Sequence, residues 1–357
     1  MATSTRRGKK RQVPTGVGVI GLGFMGRTHL AAYRDADAAG FANRIVAIAD
    51  RGFDAKGRKR RKDTSTRGNL DTGDDGGPLF DPETTALYPR AEDLFEDDTV
   101  ELVSICTHTP THVDLAVQAL QAGKHVLVEK PIALSAKDVR RLARAASKAD
   151  TLCMPAMCIR FWPAWAWLRT AIREERYGPV ESAVFRRLAS HPGWSTGFYG
   201  DSEQSGGALF DLHIHDADFV QACLGAPQSV STTGTVDHVT TLYRYEDGPV
   251  HVVAEGGWNH APGFGFEMNF TVVFRDATAD FRLDRDPNLV LWKGNRASHP
   301  KIATWNGYEG EVRHLLRAIR KGEDALDATM DDAAQVTRML EAERKSLEKG
   351  RAIRVGS

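Results

Sequence analysis

The segment GGALFDLHIHDAD (206–218) places two histidines among three aspartates. Read as one helix from Asp211 to about Cys223, it sets Asp211 and His215 four residues apart, on one face. An imidazole backed by a carboxylate is a proton acceptor near neutral pH, because the acid orients the ring and raises its basicity. His213 points elsewhere, and Asp216 and Asp218 read as solvated or capping groups. An HxH pair chelates from a strand but not from a helix, so no metal is expected. Lys130, in EKP (129–131), is a second chemical centre. Its ammonium can hold or acidify a hydroxyl, and Pro131 fixes the turn after it, in a cis bond if the turn demands one. An isolated lysine closing a strand would be a plain surface group.

A third constellation is GLGFMG (21–26), directly after the apolar run VGVI (17–20). Gly21 permits a tight turn, Gly23 lets backbone approach a pyrophosphate, and Gly26 lets a helix pack close to a strand. Phe24 and Met25 stand in the first turn of that helix, whose N-terminus favours phosphate. Asp50 ends the next apolar run, 24 residues past Gly26, where a carboxylate binds both ribose hydroxyls and repels a 2′-phosphate. NAD is therefore expected over NADP, although Arg51 is placed either to stack on adenine or to pair with that phosphate. A nicotinamide beside Lys130 and His215 implies alcohol–carbonyl interconversion, which needs a hydride path and a carrier for the hydroxyl proton.

These residues need a scaffold. Up to about residue 150, short apolar runs alternate with helical patterns: VGVI, IVAIAD (45–50), ELVSICT (101–107) and HVLVE (125–129) are separated by helices. That alternation predicts a parallel sheet with crossover helices. Ligands bind at the carboxyl ends of such strands, so Gly21–Gly26, Asp50–Arg51, Thr107–His112 and Glu129–Pro131 should converge. The stretch 52–90, with KGRKRRKD (56–63), reads as a surface loop; its basic run suits a phosphate but is more simply a solvated segment. After a helix over 164–175, consecutive β runs at 180–187, 238–245, 251–258 and 267–276 predict a largely antiparallel sheet. Two helices close the chain, from about Glu311 to Arg320 and from Asp331 to Glu348. The expected fold is α/β: a disordered basic tail (1–14), a Rossmann domain (15–152) and an α+β domain (153–357) that carries substrate and oligomer contacts. The sheet's uncovered face implies a homodimer or homotetramer.

Composition bounds the partners. With 47 basic and 47 acidic residues the net charge is zero, which gives no attraction to nucleic acid or anionic membrane. No run reaches the roughly 18 apolar residues of a membrane span. Cys106, Cys153, Cys158 and Cys223 include no CxxC pair and read as reduced core thiols. A cytoplasmic protein is expected.

The sequence resembles the Gfo/Idh/MocA oxidoreductases in GLGFMG (21–26), SICTHTPTH (104–112), EKP (129–131), RFWP (160–163) and GGALFDLHIHDAD (206–218). The resemblance implies a Rossmann domain followed by a large, open-faced sheet. It further implies that Lys130 contacts nicotinamide and substrate, that Asp211 and His215 are the second domain's acid and proton carrier, and that Thr107, His112 and Glu129 line the cofactor pocket. Arg160 matches an arginine near the nicotinamide ribose or substrate. The long 52–90 segment departs from the family's short connection. The expected substrate is a sugar, inositol or sugar derivative, with Trp162, Trp194, His191 and Tyr308 as candidate specificity residues. A non-catalytic sensor of the same fold is the alternative, and intact Lys130, Asp211 and His215 speak against it.

Overall fold

The computed structural model describes residues 13–54, 79–193, 196–322 and 325–356. Strand β1 (Thr15–Ile20) is buried along its whole length, as a parallel strand covered on both faces must be. It leads through the glycine turn into α1 (Phe24–Ala38), and β2 (Asn43–Ala49) follows. Then come β3 (Ala86–Tyr88), α2 (Ala91–Phe95), β4 (Leu102–Ile105), α3 (His112–Gln121), β5 (His125–Val128), α4 (Ala136–Ala146) and β6 (Cys153–Pro155). The six strands form one sheet in the order β3-β2-β1-β4-β5-β6, every pair parallel. The order reverses between β1 and β4, which opens the crevice where doubly wound sheets hold dinucleotides.

Two expectations shift here. The first sheet reaches Cys153–Pro155, beyond the expected boundary at 152, because β6 pairs with β5. The 52–90 segment is not all loop, since Ala86–Tyr88 adds a strand beside β2. The basic run 56–63 lies outside the described residues, as does most of the 1–14 tail.

The second unit opens with α5 (Pro163–Arg173) and β7 (Val180–Ser190), followed by the short helices α6 (Thr196–Tyr199), α7 (Ser202–Ser205) and α8 (Gly207–Asp211). After α9 (Ile214–Leu224) come β8 (Ser229–Thr235), β9 (His238–Arg244), β10 (His251–His260), β11 (Phe266–Phe274), β12 (Ala277–Arg282), β13 (Leu289–Lys293) and β14 (Arg296–Ser298). Helices α10 (Gly307–Lys321) and α11 (Met330–Lys349) and the strand β15 (Ile353–Arg354) complete it. The sheet order is β14-β13-β12-β11-β7-β10-β9-β8-β15. Only β7 and β10 pair in parallel; the other neighbours are antiparallel.

Side chains alternate across this sheet. Ala183, Phe185 and Arg187 of β7 face the packed side, whereas Val184 and Arg186 face outward. The outer face is mixed in character: Val184 and Trp292 are 39% and 46% exposed, and Arg186 bridges Glu255 and Glu267. The final helices return to the first domain, α10 against α1 and α11 against α4. A capping box between Thr329 and Asp332 starts α11 at the point where the chain turns back.

The glycine turn makes a paired prediction. A Cβ on Gly26 would overlap the carbonyl oxygen of Gly21, whereas one on Gly23 would meet nothing within 4 Å. Gly26→Ala is expected to lose about 1–3 kcal/mol, the usual range for overpacking. Gly23→Ala should melt like the parent, within about 0.5 kcal/mol, yet bind NADH more weakly. Thermal melts and NADH fluorescence titrations of both variants check this.

Candidate active site

At the carboxyl edge of the first sheet, Gly21 adopts a left-handed conformation with φ of +92°. The turn brings the Leu22 amide to Oδ2 of Asp50 at 2.8 Å, and the Gly52 amide donates to Oδ1 at 2.6 Å. Asp50 is thereby locked at the end of β2, with further lone pairs for hydroxyl donors. Helix α1 begins at Phe24 behind Gly23, an N-cap with no side chain to occupy the first-turn amides. The open space at Gly23 and the fixed carboxylate at Asp50 suit a dinucleotide. Arg51 is exposed beside Asp50, and its charge acts on His108 of the cavity wall, whose pKa is lowered chiefly by burial and further by that cation.

The loops after β4 and β5 are braced against each other. His112 places Nδ1 2.9 Å from the Pro131 carbonyl and Nε2 2.9 Å from the Thr107 carbonyl. Burial lowers its pKa, and the two carbonyls oppose that only in part. It lines the cavity with Thr107 and Glu129, but its ring is a brace, not a proton carrier. Glu129 is similarly engaged: Oε1 lies 2.7 Å from His29 Nε2, and Oε2 accepts the Lys130 amide at 3.1 Å. The Lys130–Pro131 bond is cis.

Lys130, Asp211 and His215 meet in a cavity of about 250 Å³ that Phe24 and Met25 also line. The Lys130 ammonium donates to the Asp211 carbonyl at 2.7 Å and to its Oδ1 at 3.0 Å. The expected carboxylate-backed histidine is not formed. Asp211 ends α8 and His215 lies in the first turn of α9. Leu212 and His213 between them keep right-handed helical torsions, but the regular hydrogen-bond ladder is interrupted, with the His213 amide donating to the Ala208 carbonyl and the His215 amide to the Leu212 carbonyl. His215 Nδ1 is buried without a hydrogen-bond partner. Burial holds the His215 pKa well below the ordinary histidine value, and the charges of Lys130 and Arg187 add to this. The ring is thus a neutral base beside two cations.

No sequence motif marks Arg187. It is buried on the packed side of β7, lines the cavity, and donates from Nε and Nη2 to Asp216 at 3.0 and 2.9 Å. Its signal was an arginine at an inward position of an alternating strand. Asp216 is consequently a buried ion-pair partner, not a solvated group, and Asp218 is likewise taken by Arg160. Arg160 itself is corrected: its guanidinium binds Asp218 at 2.6 and 2.7 Å and Asp332 at 2.9 Å, and it does not line the cavity. Two carboxylates from α9 and α11 draw it into the packing behind the site. His213 points away as expected, with Nε2 2.8 Å from Glu343.

Aromatic faces form much of the wall. Trp162 and Tyr308 meet edge to face at 6.2 Å, and Tyr199 and Trp258 at 5.6 Å. His191 is exposed and packs on Trp258, and Trp194 lies outside the described residues. Tyr199, Trp258 and the nearby Phe198 come from parts of the chain with no motif to mark them.

Comparison with known proteins agrees with this geometry. Residues 15–157 match a family model described as an oxidoreductase family with an NAD-binding Rossmann fold. Residues 165–280 match the GFO/IDH/MocA C-terminal domain. The chain is 27% identical over 279 residues to trans-1,2-dihydrobenzene-1,2-diol dehydrogenase of Mus musculus, covering 73% of this chain and 81% of that protein. It is 25% identical over 352 residues to inositol 2-dehydrogenase of Rhizobium meliloti, covering 93% and 97%. A levoglucosan dehydrogenase solved with NADH and levoglucosan shares the fold, with a TM-score of 0.78 at 20% identity over 97% of this chain and all of that one. The chain belongs to the Gfo/Idh/MocA oxidoreductase family. Among the described residues, no helix is long and apolar enough to cross a membrane.

The placement of Arg160 yields a test. Arg160→Leu leaves Asp218 buried without its cation, and removing one partner of a buried pair typically costs about 3–5 kcal/mol. Urea denaturation should show that loss, while NADH affinity of the folded protein stays near the parent value. Weaker NADH binding at unchanged stability would restore Arg160 to the cofactor site.

Proposed function

We propose that this Gfo/Idh/MocA oxidoreductase oxidises a secondary hydroxyl on a polyhydroxylated ring, a sugar, an inositol or a related cyclic diol, with NAD⁺ as hydride acceptor. The observation that carries the reading is the meeting of a neutral His215 with the Lys130–Asp211 pair in one cavity at the carboxyl edge of the Rossmann sheet. NAD⁺ bound along that edge supplies a nicotinamide ring that accepts hydride. The protein supplies the rest. Lys130 donates to the substrate oxygen and stabilises negative charge as its proton leaves. Asp211 holds the ammonium in place through carbonyl and carboxylate together. His215 takes the proton, and the depressed pKa keeps it unprotonated and ready.

Vicinal hydroxyls suit such a pocket, since each donates to a carboxylate or imidazole and accepts from an ammonium. The Trp162, Tyr308 and Trp258 faces offer packing for the C–H surface of a ring. The two cations that line the cavity, Lys130 and Arg187, are already paired with Asp211 and Asp216, which leaves no free clamp for a substrate carboxylate among the described residues. Relatives named for a cyclic diol and for inositol support the same substrate class. A sensor would have no chemical need for the complete Lys130, Asp211 and His215 set. The reading extends to a cytoplasmic homodimer or homotetramer that uses the open sheet face.

A screen of NADH formation across aldoses, inositols, cyclic diols, sugar acids and short hydroxy acids tests the assignment; activity confined to short hydroxy acids would sink it. With a confirmed substrate, His215→Ala should cut turnover by about 10² to 10⁴ while NADH binding persists. Oxidation needs the neutral ring, and a lowered pKa keeps it neutral below the usual histidine value of about 6.5. The kcat/KM plateau should therefore run through that pH and fall only at more acidic values. An acid limb at an ordinary histidine pKa would assign the proton to another group.

The cofactor preference is tested separately. Wild-type protein should bind NADH more tightly than NADPH, because the Asp50 carboxylate repels a 2′-phosphate. Asp50→Ser should narrow that ratio by about tenfold, roughly 1.4 kcal/mol. Tighter NADPH binding by the wild type would make Arg51 the dominant residue.

A further inference from the structure

Behind the cavity floor, His29 of α1, Glu129 after β5 and Glu311 of α10 bring one ligand atom each within 4.8 Å of one another. They are 0%, 4% and 0% exposed. His29 and Glu129 satisfy each other at 2.7 Å, and His29 Nδ1 lies 3.3 Å from Ser104 Oγ. Glu311 is the anomaly. Both of its carboxylate oxygens are buried and neither has a hydrogen-bond partner. Native interiors rarely leave a polar group in that condition, and an ionised carboxylate there is costlier still.

We propose that His29, Glu129 and Glu311 form a buried site for a divalent transition-metal ion, with zinc the best match. Two carboxylates and one imidazole carry the charge and the donor types that Zn²⁺ takes, at bond lengths of about 2.0–2.2 Å. Magnesium and calcium favour shells of oxygen, commonly with water, which a buried site containing an imidazole serves poorly. Ser104, itself 2.8 Å from the Tyr33 hydroxyl, stands where an outer group orients a ligating imidazole and leaves Nε2 for the metal. One ion would replace the missing partners of Glu311 and neutralise both acids.

The site would act as a staple. Its ligands come from α1, from the turn that carries Lys130, and from a helix near the end of the chain. Bound metal would pin α10 to the cofactor domain directly beneath the catalytic lysine. It stands apart from hydride transfer, and its test does not depend on the substrate.

The experiment uses the full-length protein, freed of any histidine tag and dialysed against a chelator. Zinc titration followed by elemental analysis should find one equivalent retained, with a raised melting temperature. Co²⁺ in its place should give the visible d–d absorption of a low-symmetry protein site. Glu311→Gln should lose both the stoichiometric zinc and the cobalt band; if it does not fold, His29→Gln serves, and the wild-type cobalt spectrum stands by itself. Wild-type protein that retains no zinc at micromolar free metal overturns the proposal. So does zinc retained undiminished by Glu311→Gln, which would place the ion elsewhere. Zinc-free wild type that gains stability from Glu311→Gln would identify Glu311 as a carboxyl satisfied by a proton.

Discussion

One ammonium joins the two halves of this protein. Lys130 stands at the end of β5 in the first sheet, and its Nζ reaches the carbonyl and carboxylate of Asp211 at the end of α8. Both partners are largely withdrawn from water, so the contact is electrostatically stronger than a surface pair. Both residues line the cavity, one from the cofactor edge and one from the second domain. The contact also fixes which face of Lys130 is offered to a bound hydroxyl. His112, set between the Thr107 and Pro131 carbonyls, links the loop after β4 to the turn that carries Lys130.

Charge around the cavity is divided in an instructive way. Arg187 and Arg160 are each committed to a buried aspartate, Asp216 and Asp218, both on α9. Buried ion pairs contribute little net stability, but they penalise any arrangement that separates them. Here they hold α9 against β7 on one side and against the start of α11 on the other. His215 rides on that helix near Lys130 and Arg187, and burial together with the field of those two cations favours the neutral ring. The packing that positions the base thus also sets its protonation state.

The last two helices complete the support. By packing on α1 and α4, α10 and α11 return the end of the chain to the cofactor domain. Tyr308 and Glu311 both come from α10, one in the cavity wall and one behind it. A division at residue 152 therefore describes sheet membership only roughly, since the walls of the site draw on both ends of the chain.

Several features were legible from local sequence alone. GLGFMG specifies its turn because only glycine tolerates the φ at Gly21 and the close approach at Gly26. The parallel and antiparallel sheets follow from period and spacing, which are local properties of the backbone. Lys130 and Asp50 were placed because strand ends in such a sheet share one edge. Tertiary structure decided the rest, wherever the outcome depended on which buried charges meet. Asp211 pairs with Lys130, which the first sheet brings to it, and His215 Nδ1 is left without a hydrogen-bond partner. Arg160 went to the aspartates of α9 and α11 instead of the cofactor, and Arg187 entered the cavity wall from a strand without a motif. Glu311 joined His29 and Glu129 across most of the chain's length. A buried charge takes its partner from whatever the fold packs beside it, and sequence spacing carries no record of that distance.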